Sequence, residues 1–154
     1  MIAIGEQSLD GRQAMPVGIA LLKAILKQAG FTVKCLDNTL KKLSDTQLIE
    51  FIKKNNPKVI GLSATAYFIS QLKEMVRLIK SISIEIAVII GGYCSLVDDL
   101  VKQTNANAVC HGEGDLTIVE LVRHYVQPFE EWKNGREKIK GISFLESGNV
   151  IRTE

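Results

Sequence analysis

Few side chains in this sequence could do chemistry, and they gather behind three apolar runs. Val59-Ile60-Gly61-Leu62 stops at Ser63-Ala64-Thr65, and Ala87-Val88-Ile89-Ile90 breaks into Gly91-Gly92-Tyr93. Ala108-Val109-Cys110 breaks into His111-Gly112-Glu113-Gly114. An uncharged run ending in this way reads as a strand buried on both faces that terminates at a solvent-facing crevice. Ser63 and Thr65 offer short hydroxyls able to hydrogen-bond a phosphate, a ribose or an amide. Gly91 and Gly92 let a ligand approach backbone that a Cβ would block. One such loop is only what a parallel strand needs in order to turn. Three on the same edge point to a ligand.

Other chemistries find little support. Gly-x-Gly-x-x-Gly and the phosphate-loop pattern are absent, and Gly112-Glu113-Gly114 lacks a third glycine and carries an acid where a phosphate would sit. The paired acids of a receiver domain have only Glu6 and Asp10 as poor stand-ins. Cys35, Cys94 and Cys110 are too far apart for a Cys-x-x-Cys site and read as buried small hydrophobes. His111 lies in the right loop to touch a ligand, while His124 falls beside a helical apolar stripe as a surface or boundary residue. No catalytic residue and no metal-ligand set emerges, so the sequence reads as a binding domain.

The elements that hold these loops follow from periodicity. Ile2 to Ile4 is a short strand, and Gly5 to Met15 a polar loop. Pro16 suits the first position of a helix over Val17 to Ala29 that Gly30 closes. Phe31 to Leu36 alternates like an edge strand. Ser44-x-x-Gln47 is a capping box for a helix that buries Leu48, Phe51 and Ile52 and halts at Asn56-Pro57. Leu72, Met75, Val76 and Ile79 mark the helix after the Val59 strand. A helix over Leu96 to Gln103 buries Leu96, Val97, Leu100 and Val101, and one with Ile118, Leu121, Val122 and Tyr125 starts at Thr117-x-x-Glu120 or Asp115. Pro128 to Lys140 is polar and irregular. Gly141 to Leu145 and Asn149 to Arg152 flank Glu146-Ser147-Gly148 as a terminal hairpin.

Alternating strands and helices predict an α/β fold: a flavodoxin-like, doubly wound, five-stranded parallel sheet of order 2-1-3-4-5 with a C-terminal β-hairpin. Residues 1–126 form the α/β body, and 127–154 a linker and closing hairpin of the same domain. The chain has 154 residues, 46% hydrophobic and 23% charged, with a formal charge of +2. That suits one globular domain with a proper core. Lysines are scattered, not clustered into the basic stripe that nucleic acid requires. Val59 to Leu72, the longest uncharged run, is short of a membrane span. The first residues carry no signal-peptide pattern, so the cytoplasm is the expected compartment.

An ordered set of short motifs resembles the N-terminal cobalamin-binding domain of cobalamin-dependent radical SAM enzymes. The set is Pro16-x-Gly18-x-x-x-Leu22, Ala29-Gly30-Phe31-x-Val33, Asp37, Pro57-x-x-Ile60-Gly61-Leu62-Ser63, Ile90-Gly91-Gly92 and Gly112-Glu113-Gly114-Asp115. Lys140-Gly141-Ile142-Ser143-Phe144 followed by Gly148-x-Val150-Ile151 looks like the hairpin that closes such a domain. The resemblance implies cobalamin on the carboxyl edge of the sheet. Ser63 and Thr65 would hydrogen-bond its nucleotide tail, and Gly91 and Gly92 would leave it room. Tyr93 and the Gly112-Glu113-Gly114 backbone would line the pocket beside the corrin, and the loop Gln7 to Met15 would cover the lower face of the ring.

Two departures refine that expectation. The methionine synthase type carries Asp-x-His-x-x-Gly after the first strand, whereas this chain has Asp10-Gly11-Arg12 and no histidine there. Protonated arginine cannot coordinate cobalt, so cobalamin is expected base-off without a protein imidazole. The Cys-x-x-x-Cys-x-x-Cys motif for an iron–sulfur cluster is also absent. The cluster and S-adenosylmethionine would therefore belong to a radical SAM catalytic domain outside this chain, in cis or in trans, of methyltransferase or cyclase type. In the methyltransferase version, cobalt would accept a methyl from S-adenosylmethionine and pass it on. The alternatives are a degenerate domain with a structural or interaction role, or a flavin or nucleotide binder. Gly5 to Met15 lacks the aromatic residues that isoalloxazine usually wants.

Overall fold

The computed structural model describes residues 1–3, 17–38 and 43–154. The expectations for Ile4, the Gly5 to Met15 loop and Pro16 lie outside the described residues. In chain order the elements are β1 (Ile2–Ala3), α1 (Val17–Gln28), β2 (Leu36–Asp37), α2 (Asp45–Asn55), β3 (Val59–Ser63) and α3 (Ile69–Ile82). Then follow β4 (Ala87–Gly91), α4 (Leu100–Thr104), β5 (Ala108–Cys110), α5 (Thr117–Tyr125), β6 (Ile142–Glu146) and β7 (Asn149–Arg152). One sheet runs β2-β1-β3-β4-β5-β6-β7. Its first five strands are parallel, and β6 and β7 add on antiparallel beside β5.

Local chemistry accounts for the boundaries. The Ser44 hydroxyl accepts from the Gln47 amide at 3.3 Å while Gln47 Oε1 accepts from the Ser44 amide at 3.1 Å, a complete capping box. Asn56 ends α2 in the left-handed region at φ 42°. Gly30 ends α1 at φ +91°, with the Phe31 amide returning to the Leu26 carbonyl. Ser147 and Gly148 both have positive φ, the geometry that lets a two-residue turn match the twist of β6 and β7.

Two apolar layers sandwich the sheet. On one face Ile60, Leu62, Val88 and Ile90 pack against α2, α3 and α4 through Leu48, Leu72, Val76 and Val101. On the other, Ala87, Ile89, Ala108 and Cys110 pack against α1 and α5 through Leu26, Ile118 and Leu121. β4 and β5 are buried on both sides up to Gly91. β3 departs from the predicted two-sided burial: Val59, Gly61 and Ser63 are only half-buried, because the α1/α5 layer does not close over them.

Other expectations are corrected. The strand predicted from Phe31 is found as Leu36–Asp37, the residues that pair with Ile2 and Ala3. Phe51 and Met75 are half-buried. The helix predicted over Leu96 to Gln103 is a 3₁₀ turn at Tyr93–Leu96, a break, and the five-residue α4. The break falls at Asp98-Asp99, where Asp99 takes a left-handed conformation that a short polar side chain tolerates, and it leaves Leu96 78% exposed. Neither Thr117 nor Asp115 caps α5; Leu116 holds that position with no side-chain bond, and Thr117 Oγ1 donates to the Lys140 carbonyl at 3.3 Å. Cys94 and Cys110 are buried, but Cys35 is half-buried.

The polar stretch at 127–140 carries part of the core. Trp132 is 5% exposed and meets Tyr125 edge-on at 5.1 Å and Phe129 at 4.9 Å. Its indole N–H donates to the Gln127 carbonyl at 3.1 Å, and the Tyr125 hydroxyl donates to the Asn107 carbonyl at 2.9 Å. These bonds satisfy the polar tips of two buried rings. Trp132→Ala is expected to destabilise the domain by about 3–5 kcal/mol, read as a lower urea midpoint. A loss below about 1 kcal/mol would show the segment to be a mere linker.

Candidate ligand-binding site

Parallel register brings the chemistry-bearing loops together. Ser63 sits beside Gly91 in the β3/β4 ladder, and Ile90 beside Val109 in the β4/β5 ladder, so the three carboxyl ends lie at one edge. The loops beyond β3 and β4 are tied to each other: the Ala64 amide donates to the Gly91 carbonyl at 3.4 Å, and the Cys94 amide to the Ala64 carbonyl at 3.1 Å. Gly92 makes this approach possible. Its φ is +88°, and a Cβ there would stand 3.0 Å from both the Ala64 carbonyl oxygen and Ser63 Oγ.

Beneath this edge a slot of about 70 Å³ runs between the sheet and the α1/α5 layer. Gly61, Ser63 and Gly91 line its sheet side, and Leu22 and Ile118 face them from α1 and α5. Met1 also lines it; a Cβ on Gly61 would lie 3.5 Å from Met1 Cγ. Met1, Gly61, Ile89 and Ile118 also line a larger, mainly apolar cavity of about 350 Å³ that reaches toward the amino-terminal end of β3. The half-open face of β3 is thus the wall of a path along the sheet.

The predicted residues divide between slot and rim. Ser63, Gly91, Gly92, Gly112 and Gly114 line the slot. Thr65, Tyr93 and Glu113 do not; all three are exposed at the rim, with Thr65 opening a 3₁₀ turn at Ala66–Phe68. Tyr67, Tyr93, Leu96 and Leu116 stand 95%, 78%, 78% and 85% exposed on the loops after β3, β4 and β5. Sequence reasoning missed Met1, Cys110 and Ile118 as slot residues. It also left Gly61 without a role, although a glycine inside a strand signals a close approach.

Both histidines of the chain are engaged in the fold. His111 Nδ1 lies 3.0 Å from the Ser95 carbonyl oxygen, and Nε2 lies 2.6 Å from Ser143 Oγ. A neutral ring satisfies both, donating to Ser95 and accepting from the Ser143 hydroxyl. His124 Nε2 lies 3.0 Å from the Trp132 carbonyl oxygen and so donates to it. Burial pushes the Cys94 thiol pKa upward and that of Cys110 up to about 11, so both stay protonated at neutral pH. Among the described residues no three His, Cys, Asp or Glu side chains converge on a metal position, and no helix is long and apolar enough to cross a membrane.

The fold is shared with known proteins. The model of the B12 binding domain family matches residues 11–122. An uncharacterized methyltransferase of Pyrococcus horikoshii is 28% identical over 145 residues, covering 91% of this chain and 30% of the relative. The anaerobic magnesium-protoporphyrin IX monomethyl ester cyclase of Synechocystis is 24% identical over 156 residues, covering 98% of this chain and 30% of that protein. The radical S-adenosylmethionine methyltransferase TsrM of Kitasatospora setae, solved with cobalamin and a [4Fe-4S] cluster bound, superposes with a TM-score of 0.81 at 18% identity. That superposition covers 99% of this chain and 30% of TsrM, so the chain spans about a third of the length of the proteins it matches.

His111 ties the loop carrying Tyr93 to strand β6, and its environment sets a pH dependence. Burial, then the Arg152 charge, lower its pKa below 6.5, against a raising contribution from the Ser95 carbonyl. Its stabilisation is therefore complete above the unfolded-state value near 6.5 and is lost as pH falls through the lower folded-state value. Between pH 7 and 5 the urea midpoint of the wild type should fall more steeply than that of His111→Gln. Parallel profiles would contradict a neutral, bonded His111.

Proposed function

Since the chain belongs to the B12 binding domain family, we propose that it holds cobalamin base-off on the carboxyl edge of its sheet and presents it to a radical SAM catalytic domain in cis or in trans. The observation that carries the reading is the row of Gly61, Ser63, Gly91 and Gly114 along one slot, where larger side chains would fill the space. The nucleotide tail enters between these residues and Leu22 and Ile118. Ser63 supplies a hydroxyl to it, and the backbone around Gly91 and Gly92 allows close contact. With the tail in the slot its base is held away from the cobalt. Both histidines are already bonded elsewhere, which supports a cobalt without an imidazole from this chain.

The slot's 70 Å³ is room for about two waters and too little for an aromatic base. Met1 is the side chain that yields. Its thioether is unbranched and adaptable, and the 350 Å³ cavity it also lines has space to receive it. When bound, cobalamin supplies a metal centre able to accept and hand on a methyl group. The residues of this chain orient it and shield its underside. Thr65, Tyr93 and the Gly112-Glu113-Gly114 backbone lie around the corrin. The exposed Tyr67, Leu96 and Leu116 form an apolar rim that the ring and the catalytic domain cover.

Gly91→Leu tests the slot cleanly, because a Cβ at Gly91 comes no nearer than 4.0 Å to Cys110 Cβ and the residue has ordinary strand geometry. Gly92 is a poor choice, since its positive φ would confound folding with binding. Titration with hydroxocobalamin, followed by its visible spectrum, should give saturable binding with a base-off signature. Gly91→Leu should weaken that binding by about tenfold or more while leaving the tail-less corrinoid cobinamide nearly unaffected. Equal losses for both ligands would move the tail out of the slot. Absence of binding by the wild type, both alone and joined to its catalytic domain, would favour an interaction domain.

A further inference from the structure

The opposite edge of the sheet carries a second feature, independent of the cobalamin reading. By the amino-terminal ends of β4 and β5 lies a cavity of about 330 Å³ lined by Lys80, Asn105, Asn107 and Arg136, with Phe129 and Leu145 as apolar walls. Two cations border it, and none of the described residues that line it carries a carboxylate.

Among the described residues the charge of Lys80 has no acidic partner. Its ammonium donates to the Ile84 carbonyl at 3.3 Å, the Ile86 carbonyl at 2.8 Å and Asn107 Oδ1 at 2.7 Å, all neutral acceptors. Burial without a counter-charge pulls its pKa down to about 8. Arg136 is little better matched. Its Nη1 donates to the Leu145 carbonyl at 3.3 Å, and its Nη2 is 3.9 Å from Glu146 Oε1 on a side chain that is 56% exposed. Its buried Nε has no hydrogen-bond partner among the described residues, while its guanidinium interacts with the neutral Tyr125 hydroxyl.

These groups are held on rigid supports. Asn107 Oδ1 also accepts from the Val88 amide at 2.8 Å, and the Asn107 carbonyl accepts from Tyr125, tying the site to β4 and α5. The Arg136 guanidinium lies 4.4 Å over the Phe144 ring. A rigid, partly desolvated pair of cations, with Glu146 the one carboxylate near them and outside the described lining, attracts negative charge. The 3.3 Å contact to Ile84 is the longest of the three Lys80 bonds.

We propose that this cavity binds a small organic oxyanion, a phosphate or carboxylate whose apolar body packs against Phe129 and Leu145. The site lies at the end of the sheet remote from the slot, so it is separate from the cofactor.

The test is an amide NMR titration of the full chain with phenyl phosphate, benzoate and inorganic phosphate. Saturable shifts centred on Asn105, Ala106 and Asn107 are expected, with an aromatic probe binding at least about threefold tighter than inorganic phosphate. The tighter of phenyl phosphate and benzoate identifies the head group. Lys80→Gln should weaken binding about tenfold or more. Shifts scattered over surface lysines, no saturation at tens of millimolar, or an unchanged affinity in Lys80→Gln would overturn the proposal. Should that variant fail to fold, the wild-type shift map and the loss of affinity with added sodium chloride decide the matter.

Discussion

The close approach of two strand ends governs the upper edge of this domain. Beyond β3 and β4 the backbone exchanges hydrogen bonds between Ala64, Gly91 and Cys94, and the contact exists because Gly92 brings no Cβ within 3.0 Å of the Ala64 carbonyl and Ser63 Oγ. Buried Cys94 reinforces it, its thiol donating to the Gly91 carbonyl at 3.3 Å. The loops are thereby drawn over the core, and the slot opens beneath them on the α1/α5 side. Chemistry at this edge begins with a backbone that has been made bare.

The two layers around the sheet behave differently for a physical reason. Apolar side chains of α2, α3 and α4 fill one face to closure, with Leu72 and Ile79 fully buried. On the other face Gly61 contributes no side chain, and Leu22, Ile118 and Met1 leave space beside it. A full core there would yield the last increments of stability and forfeit the path along the sheet. Burial is spent instead at β4 and β5, where both faces are covered, and at the Trp132 cluster that seals the hairpin side.

Much of this was legible in the sequence, and the reasons are local. The Ser44 capping box, the Gly30 terminus, the apolar runs ending in glycine and the Ser147-Gly148 turn are each fixed by a few neighbouring residues. What escaped was decided by tertiary packing. Trp132 sits in a polar stretch, yet its ring finds Tyr125 and Phe129 only once the chain has folded back. The helix expected from Leu96 fails because Asp98-Asp99 breaks it, an override of apolar periodicity by backbone conformation. In the site, the loop glycines and Ser63 were readable from strand endings. Met1, Leu22 and Ile118 reach the slot from three other elements, and no sequence spacing brings them together.

The central claim is that the slot along Gly61 and Gly91 receives the nucleotide tail of cobalamin. A crystal structure of the domain loaded with hydroxocobalamin tests it most directly. The account predicts the tail base between Gly91 and Ile118, with the Met1 side chain displaced toward the larger cavity and no protein imidazole below the cobalt. A tail folded back onto the cobalt, or lying outside the sheet edge with the slot still closed by Met1, would contradict it.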